Sequence, residues 1–316
     1  MTRPTMRKAA RPETLDGMRA AMQNLTTEAG RSNAAAFRPR PSDIIIAPHA
    51  KSGTTWMQQI VHGLRTGGAM DFTEITEVIP WIELAHDMGV DLEAEQAAHP
   101  RAFKSHFAWD NVPKGGRYII VFRDPADVIV SFHRFLEGWA FEPGSIALDD
   151  FAEGFISSDR WHRHAASWWR QHGRDDVLFF TYERMKRELP AVVQAVADFL
   201  DPAIGRETRE IALRQASLDF MKRHGRQFDD HLVRAARDAA CGLPEDGEAS
   251  KLGRGVAGRG ARLLSAPMRA KLASRWEATM GAEFGFADYA AFAAAVDALP
   301  HPSLKNPAKP APDQPR

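Results

Sequence analysis

Lys51, Ser52, Gly53, Thr54 and Thr55 put an ammonium group, three hydroxyls and a glycine into consecutive positions. Such a string suits a bound anion. The glycine lets the backbone turn sharply and come close to a ligand. The hydroxyls can donate hydrogen bonds and the lysine adds a point charge. If a helix begins here, its first N–H groups and the positive end of its dipole add to the attraction for a phosphate. The spacing is not that of a nucleoside-triphosphate loop, G-x-x-x-x-G-K-[ST]. Here Lys51 precedes Gly53, and Pro48 stands where the first glycine would fall. A plain strand-to-helix turn with capping hydroxyls uses the same residue types, so the flanking elements must decide between the two.

Other residues able to do chemistry lie further along. Lys104 and His106 flank Ser105, so in an extended segment both point to one face. An imidazole titrates near neutral pH and can take a proton from a hydroxyl; a packed, structural histidine is the competing reading. Arg123 is separated from Ser131 by seven residues that begin Asp-Pro and continue as a helical pattern. The two can converge on one anion, which suits a forked guanidinium; a capped turn with a local ion pair is the alternative. The run Lys251-Leu-Gly-Arg-Gly-Val-Ala-Gly-Arg-Gly offers backbone N–H groups and the charge of Arg254. Taken alone, it also fits a solvated basic loop.

The elements that must hold these residues are legible as patterns. Ile44, Ile45 and Ile46 form a β-branched apolar run, suited to a strand buried on both faces of a parallel sheet. Pro48 ends it, and Trp56, Ile60, Val61 and Leu64 then recur at helical spacing. A strand, a tight loop and a helix therefore surround Gly53, which favours the anion cradle. Residues 100–107 predict a second short strand and Tyr118–Phe122 a third. Pro125 is tolerated in the first turn of the helix that carries Ser131. Residues 150–172 predict a helix, Val177–Glu183 a fourth strand, and Leu189–Leu200, Glu207–Gln215 and Arg269–Ala282 further helices. Ligands of open α/β sheets gather at the carboxyl ends of strands, where Gly53, His106 and Arg123 all stand.

The expected fold class is therefore α/β. We expect a single domain with a central, mainly parallel sheet flanked by helices and a P-loop-like phosphate cradle. Residues 1–40 read as a polar N-terminal leader, with a helix at Thr14–Ala29, able to pack on the domain but not to carry chemistry. Residues 41–298 read as the domain, and 299–316 as a Pro-rich disordered tail. The charged stretch 223–250 has the irregular pattern of a mobile segment. Phe132, Phe135, Trp139 and Phe141 fit either an apolar pocket wall or plain core.

Composition narrows the function classes. The 41 basic and 41 acidic residues cancel, whereas a general nucleic-acid binder is usually basic; any anion site must be built locally. The lone cysteine, Cys241, permits no intrachain disulfide, which fits a reducing compartment. No Cys/His cluster has metal-ligand spacing, so no metal is expected. Met1–Arg11 is basic without an apolar core segment, unlike a secretory signal. No apolar run approaches the ~20 residues that span a bilayer. The expectation is a cytoplasmic protein.

Lys51-Ser-Gly-Thr-Thr-Trp56, then Arg101-x-x-Lys104-Ser-His106, then Arg123 and Ser131 resemble the ordered motifs of the cytosolic-type sulfotransferases, with the cast of a bacterial-like member. Ser167-Trp-Trp, the strand ending Tyr182-Glu183, and Ser217-Leu-Asp-Phe-Met-Lys add to the likeness, which covers roughly residues 41–265. Ser105 replaces the family's threonine, and Leu218 stands where the family has phenylalanine. Gly255 and Gly258 match the family's closing motif and Arg254 stands for its lysine, but Gly253, Arg259 and Gly260 depart from it. The dimer motif of many animal members is not recognisable.

The resemblance implies transfer of a sulfonate group from 3′-phosphoadenosine-5′-phosphosulfate (PAPS) to a hydroxyl of a small acceptor, with no metal. It implies His106 as general base and Lys51, Lys104 and Ser131 as its catalytic companions. Lys51, Ser52, Gly53, Thr54 and Thr55 would hold the 5′-phosphate side. Trp56, Tyr182 and Ser217 would face the nucleoside, and Arg123, Ser131, Arg254 and Gly255 the 3′-phosphate. Trp81 becomes a pocket candidate, with a core tryptophan as the alternative. Nearby aromatic residues point to an apolar or aromatic alcohol, a phenol or a glycolipid. Two other readings remain at this stage. A P-loop kinase or NTPase would require the missing Gly-Lys-Ser order, and a nucleotide-binding protein without catalysis would need neither Lys51 nor His106.

Overall fold

The computed structural model of the chain describes residues 9–247, 258 and 260–302. Helices α1 (Leu15–Met22) and α2 (Glu28–Ala36) come first. Strand β1 (Ile44–Ile46) leads through the glycine turn into α3 (Thr54–Thr66) and the short α4 (Ile75–Val78). Strands β2 (Ala102–Lys104) and β3 (Arg117–Phe122) follow, then α5 (Pro125–Leu136), α6 (Leu148–Ser158) and α7 (Arg160–Trp169). Strand β4 (Val177–Thr181) is succeeded by α8 (Tyr182–Arg187), α9 (Leu189–Leu200), α10 (Arg206–Gln215), α11 (Leu218–Arg223) and α12 (His231–Arg237). The chain continues through α13 (Gly260–Leu263), α14 (Ala266–Trp276), α15 (Ala282–Phe284) and α16 (Tyr289–Asp297).

The strands pair in the order β2-β1-β3-β4, all in parallel. Every residue of β1, β2 and β4 is buried, which accounts for the unbroken apolar runs. Successive side chains still alternate between the faces. Ile45, Phe103, Tyr118, Ile120, Phe122 and Phe179 join one core with Trp161, Trp168, Trp276 and Phe292. Ile44, Ile46, Ile119, Val121, Leu178 and Phe180 join the other with Met57, Ile60, Val61, Val196 and Phe199. Helices α7, α14 and α16 thus cover one face, and α3 and α9 the other. Among the described residues, no helix is long and apolar enough to cross a membrane.

Several elements differ from the sequence patterns. The helix expected at Thr14–Ala29 is two helices, because Thr27 turns to cap α2 by accepting from the Gly30 N–H. This leader segment packs on the body: Met18, Ala34 and Phe37 are buried, and Arg237 donates to the Asn24 and Leu25 carbonyls. The helix expected over 150–172 breaks at Asp159, which adopts a left-handed φ of 56°. Strand β4 stops at Thr181, whose hydroxyl accepts from the Arg184 N–H and starts α8, so Tyr182 and Glu183 begin a helix. The charged stretch expected to be irregular contains α12, with Val233 buried. Phe135, Trp139 and Phe141 belong to a third core cluster with Ile129, Phe151 and Leu264, and Phe132 packs against it.

Candidate active site

The chain leaves β1 for β2 on one side of the sheet and later returns to β3 on the other. The carboxyl ends of β1 and β3 are therefore neighbours at the point where the winding reverses, the usual ligand crevice of such sheets. The turn after β1 is tight. Ser52 N–H donates to the His49 carbonyl at 3.1 Å, and Gly53 takes φ 105° as it opens α3. A Cβ on Gly53 would lie 3.0 Å from the Tyr182 ring. The buried hydroxyls of Ser52 and Thr54 have no hydrogen-bond partner among the described residues. Buried polar atoms are normally satisfied, so two orphaned hydroxyls at the start of a 13-residue helix fit an anionic ligand. Thr55 follows in the first helical turn. Lys51 adopts a left-handed φ of 68°, and its ammonium lies 3.8 Å over the Phe135 ring.

Arg123, just past β3, closes the cradle from the side by donating to the Lys51 carbonyl at 3.0 Å. Its guanidinium stacks 4.3 Å from the Tyr182 ring and stands 3.7 Å from Asp127. Asp124 caps α5 through the Ala126 N–H at 2.8 Å, with Pro125 in the first turn. Asp127, Ser131 and Phe135 recur at four-residue spacing, hence on one helix face. One end of that row meets Arg123 and the other meets the Lys51 ammonium. Ser131 sits between them, so the Arg-Ser spacing does bring both residues to one side of the cradle.

Asp127 also accepts from the Gly258 and Gly260 N–H groups at 2.7 and 2.6 Å. The expected contacts from Arg254 and Gly255 lie outside the described residues. Tyr182 borders the other side of Gly53. Its ring meets Trp56 edge-on at 5.6 Å, and the Trp56 indole donates to the Ala216 carbonyl at 2.7 Å. Ser217, next in the chain, caps α11 by accepting from the Phe220 N–H. It is thus placed beside Trp56 with a structural task of its own.

The segment after β2 carries the second group. His106 Nδ1 lies 2.7 Å from the Pro48 carbonyl oxygen. A carbonyl only accepts, so Nδ1 bears the hydrogen, and Nε2 of the neutral ring holds a lone pair. Burial, and then the nearby Lys104 ammonium, hold the imidazole well below its ordinary pKa, which keeps it neutral and ready to accept. Lys104 is buried with its ammonium 3.5 Å over the Trp81 ring and 4.0 Å from Asp230. Trp81 meets the His106 ring edge-on at 5.2 Å.

Two side chains here escaped sequence reasoning. Glu83 accepts from the His106 N–H at 2.6 Å and the Ser105 hydroxyl at 3.2 Å. Asp230, just before α12, reaches Lys104 from a segment distant in sequence. Neither carried a signal in the sequence: Glu83 lies two residues from Trp81, whose bridge to Lys104 only the structure reveals, and Asp230 lies far along the chain. Arg101 belongs to the motif string but not to the site. It is fully buried against Asp43, with contacts of 3.0 and 2.6 Å, at the opposite end of β2.

Across the sheet, then, consecutive strand ends present His106 after β2, the cradle after β1, Arg123 after β3 and Tyr182 after β4.

Comparison with known proteins gives a consistent picture. A family model described as a sulfotransferase domain matches residues 41–239. The chain is 30% identical over 202 residues to sulfotransferase 1B1 of Canis lupus familiaris, covering 59% of this chain and 68% of the relative. It is 29% identical over 204 residues to sulfotransferase 1E1 of Homo sapiens, covering 60% and 69% respectively. Among solved structures, retinol dehydratase in complex with androsterone and the inactive cofactor PAP aligns with a TM-score of 0.64 at 18% identity, over 85% of this chain and 94% of that one. Mouse sulfotransferase SULT7A1 complexed with PAP aligns with a TM-score of 0.61 at 19% identity, over 81% and 90%. At these identities the structural likeness concerns the fold.

Proposed function

The chain belongs to the sulfotransferase-domain family, and from that premise we propose that it transfers a sulfonate group from PAPS to a hydroxyl of a small acceptor, with His106 as general base. The observation that carries this reading is the order of groups along the carboxyl edge of the sheet: base, cradle, guanidinium, aromatic wall. PAPS bound along that edge supplies an activated sulfonate on a phosphate leaving group.

The residues divide the remaining work. His106 Nε2 receives the acceptor proton as the acceptor oxygen bonds to sulfur and the sulfur–phosphate oxygen bond breaks. Lys51 neutralises the negative charge that gathers on the departing phosphate oxygen, and Lys104 offsets charge around the sulfonate. Ser52, Gly53, Thr54 and Thr55 hold the 5′-phosphate with hydroxyl and helix-start N–H groups. Trp56, Tyr182 and Ser217 border the nucleoside. Arg123, Ser131, Arg254 and Gly255 serve the 3′-phosphate. The orphaned Ser52 and Thr54 hydroxyls support this assignment. Trp81, edge-on to His106, supports an apolar or aromatic alcohol, a phenol or a glycolipid as acceptor.

A thermal-shift titration with adenosine 3′,5′-bisphosphate (PAP), beside ATP with Mg²⁺, tests the donor class. At 100 times its dissociation constant a ligand stabilises the fold by about 2.7 kcal/mol. Stabilisation by PAP and not by ATP is expected; the reverse would favour a kinase. His106→Ala should then lose transfer by roughly 10²–10⁴-fold while still binding PAP. Binding of PAP by wild type, without transfer to any member of a broad acceptor panel, would favour a non-catalytic binding protein.

A further inference from the structure

The geometry points to Glu83 as a positioning residue of the transfer reaction, holding His106 at the place and in the electrostatic setting that the base requires. The inference rests on the sulfotransferase reading of the site.

His106 is held from two sides by different parts of the chain. Its ring is tied through Nδ1 to the Pro48 carbonyl, on the loop that leads into the cradle. Its backbone N–H is tied to Glu83 Oε1 at 2.6 Å. The same oxygen accepts from the Ser105 hydroxyl at 3.2 Å, and Ser105 Oγ in turn accepts from the Phe107 N–H at 3.0 Å. One carboxylate oxygen therefore organises the turn 105–107. Glu83 itself sits next to Ile82, whose N–H donates to the Lys104 carbonyl at 2.9 Å. The edge of β2, the base and the carboxylate thus form one bonded unit.

An amide oxygen could make the same two bonds, so hydrogen bonding alone does not explain an acid here. The second oxygen, Oε2, is buried and has no hydrogen-bond partner among the described residues. A half-satisfied buried carboxylate is costly. Its charge gives it a use. Lys104 depresses the basicity of His106. An imidazolium forming at His106 would be disfavoured by that ammonium and favoured by a carboxylate bonded to the same residue's N–H. The charged group that faces Glu83 is Lys104 on β2, with Asp230 beyond it at 4.0 Å, on the residue before α12; His106 meets Glu83 through its backbone N–H, and its ring is faced by Lys104, His49 and His164. Burial lifts the Glu83 carboxyl to about 7, against the pull of the His106 N–H and Lys104. Its ionisation therefore falls in the range where it can modulate the base.

The test compares wild type, Glu83→Ala and Glu83→Gln. It uses radiolabelled PAPS with 2-naphthol and 1-octanol as acceptor probes, and calorimetry with PAP. Glu83→Ala should lower kcat by roughly 10²-fold, the scale of a misplaced catalytic group, with PAP affinity and the KM for PAPS unchanged. Glu83→Gln keeps an accepting oxygen in place. It should recover most of that loss, yet level the rise of kcat through neutrality that wild type shows as Glu83 ionises. Wild-type kcat in Glu83→Ala would overturn the inference, and so would a Glu83→Gln pH profile matching wild type. A parallel fall of kcat and PAP affinity in Glu83→Ala would reduce Glu83 to a structural residue. Wild type that binds PAP but transfers nothing to either probe or to any member of the broad acceptor panel would overturn the functional reading and this inference with it, whereas transfer by wild type and Glu83→Ala alike would remove only the inference.

Discussion

Replacing Gly53 with alanine isolates the cradle from the rest of the fold. At φ 105° the backbone lies beyond the region that L residues occupy even in left-handed turns. Holding alanine there costs about 1–3 kcal/mol. The new Cβ would also stand 3.0 Å from the Tyr182 ring, which must give way by a few tenths of an ångström. Together these place the loss at the upper end, about 2–3 kcal/mol. At about 2.1 cal/mol/K of unfolding entropy per residue, that lowers Tm by about 3–5 °C. The moved N–H groups and the shifted Tyr182 should weaken PAP at least about tenfold, equivalent to about 1.4 kcal/mol. Gly67, at the far end of the same helix, is the matched control. Its φ is 68° and nothing lies within 4 Å of a built Cβ. Gly67→Ala should cost about 1 kcal/mol and leave PAP binding alone. Calorimetric titration of PAP into both variants, with melting curves, settles the matter. If Gly53→Ala binds PAP as wild type does, the anion is not held at this turn and the cradle assignment fails.

Arg101→Ala should destabilise by about 3–5 kcal/mol, because it strands Asp43 in the core, while the protein that remains folded keeps its turnover; a selective loss of kcat in melt-matched samples would place Arg101 in the site after all. Gly260→Ala should be poorly tolerated, since its Cβ would fall 2.2 Å from the Ala126 carbonyl carbon; a wild-type melting curve and PAP affinity would show that the α13–α5 contact has slack. Stability should depend on pH through Glu83. Its folded value of about 7 lies above the ordinary 4.5, so the native state keeps a proton that the unfolded chain has released. The stability this gives is present below about pH 4.5 and is lost as pH rises to about 7. Glu83→Gln lacks that loss, so its Tm relative to wild type should climb between pH 5 and 7.5; a constant difference would refute the assignment.

Much of the fold was legible because local pattern and tertiary role coincide. Ile44–Ile46 is wholly apolar because both faces of a central parallel strand are covered. Gly53 and Pro125 mark a left-handed turn and a helix start. What the sequence did not disclose depends on long-range partners. Asp159 breaks one helix into two by adopting a conformation that no neighbouring residue type announces. Tyr182 and Glu183 continue an apolar strand pattern, but the Thr181 hydroxyl caps the Arg184 N–H and turns them into a helix. Arg101, spaced with Lys104 and His106, looks like part of the same motif. Only the register of β1 on β2 reveals that it meets Asp43 instead. Glu83 and Asp230 carry no motif; they acquire meaning from a bridge to Lys104 and from a helix that returns over it.

The departure of the closing motif from its relatives has a physical reading of its own. The closing motif that this chain resembles has Asp-Trp where Arg259-Gly260 stand here. Here Gly260 lies so close to the backbone of Ala126 and Asp127 that no side chain can be accommodated. Its N–H is bound by Asp127, which also binds Gly258 and stands beside Arg123. A tryptophan at 260 would force this segment off α5, so the bare glycine and the Asp127 carboxylate belong together. The same carboxylate orders the end of the glycine-rich run and neighbours the guanidinium assigned to the 3′-phosphate. On the proposed assignment of Arg123 to the 3′-phosphate, binding of that phosphate and the hold on Gly258 and Gly260 would be coupled through Asp127. Asp127→Asn retains one accepting oxygen and removes the negative charge. It should loosen the hold on one of the two glycine N–H groups, and so weaken PAP more than adenosine 5′-phosphate, which lacks the 3′-phosphate. Equal weakening of both nucleotides would separate the docking of the glycine run from the 3′-phosphate site.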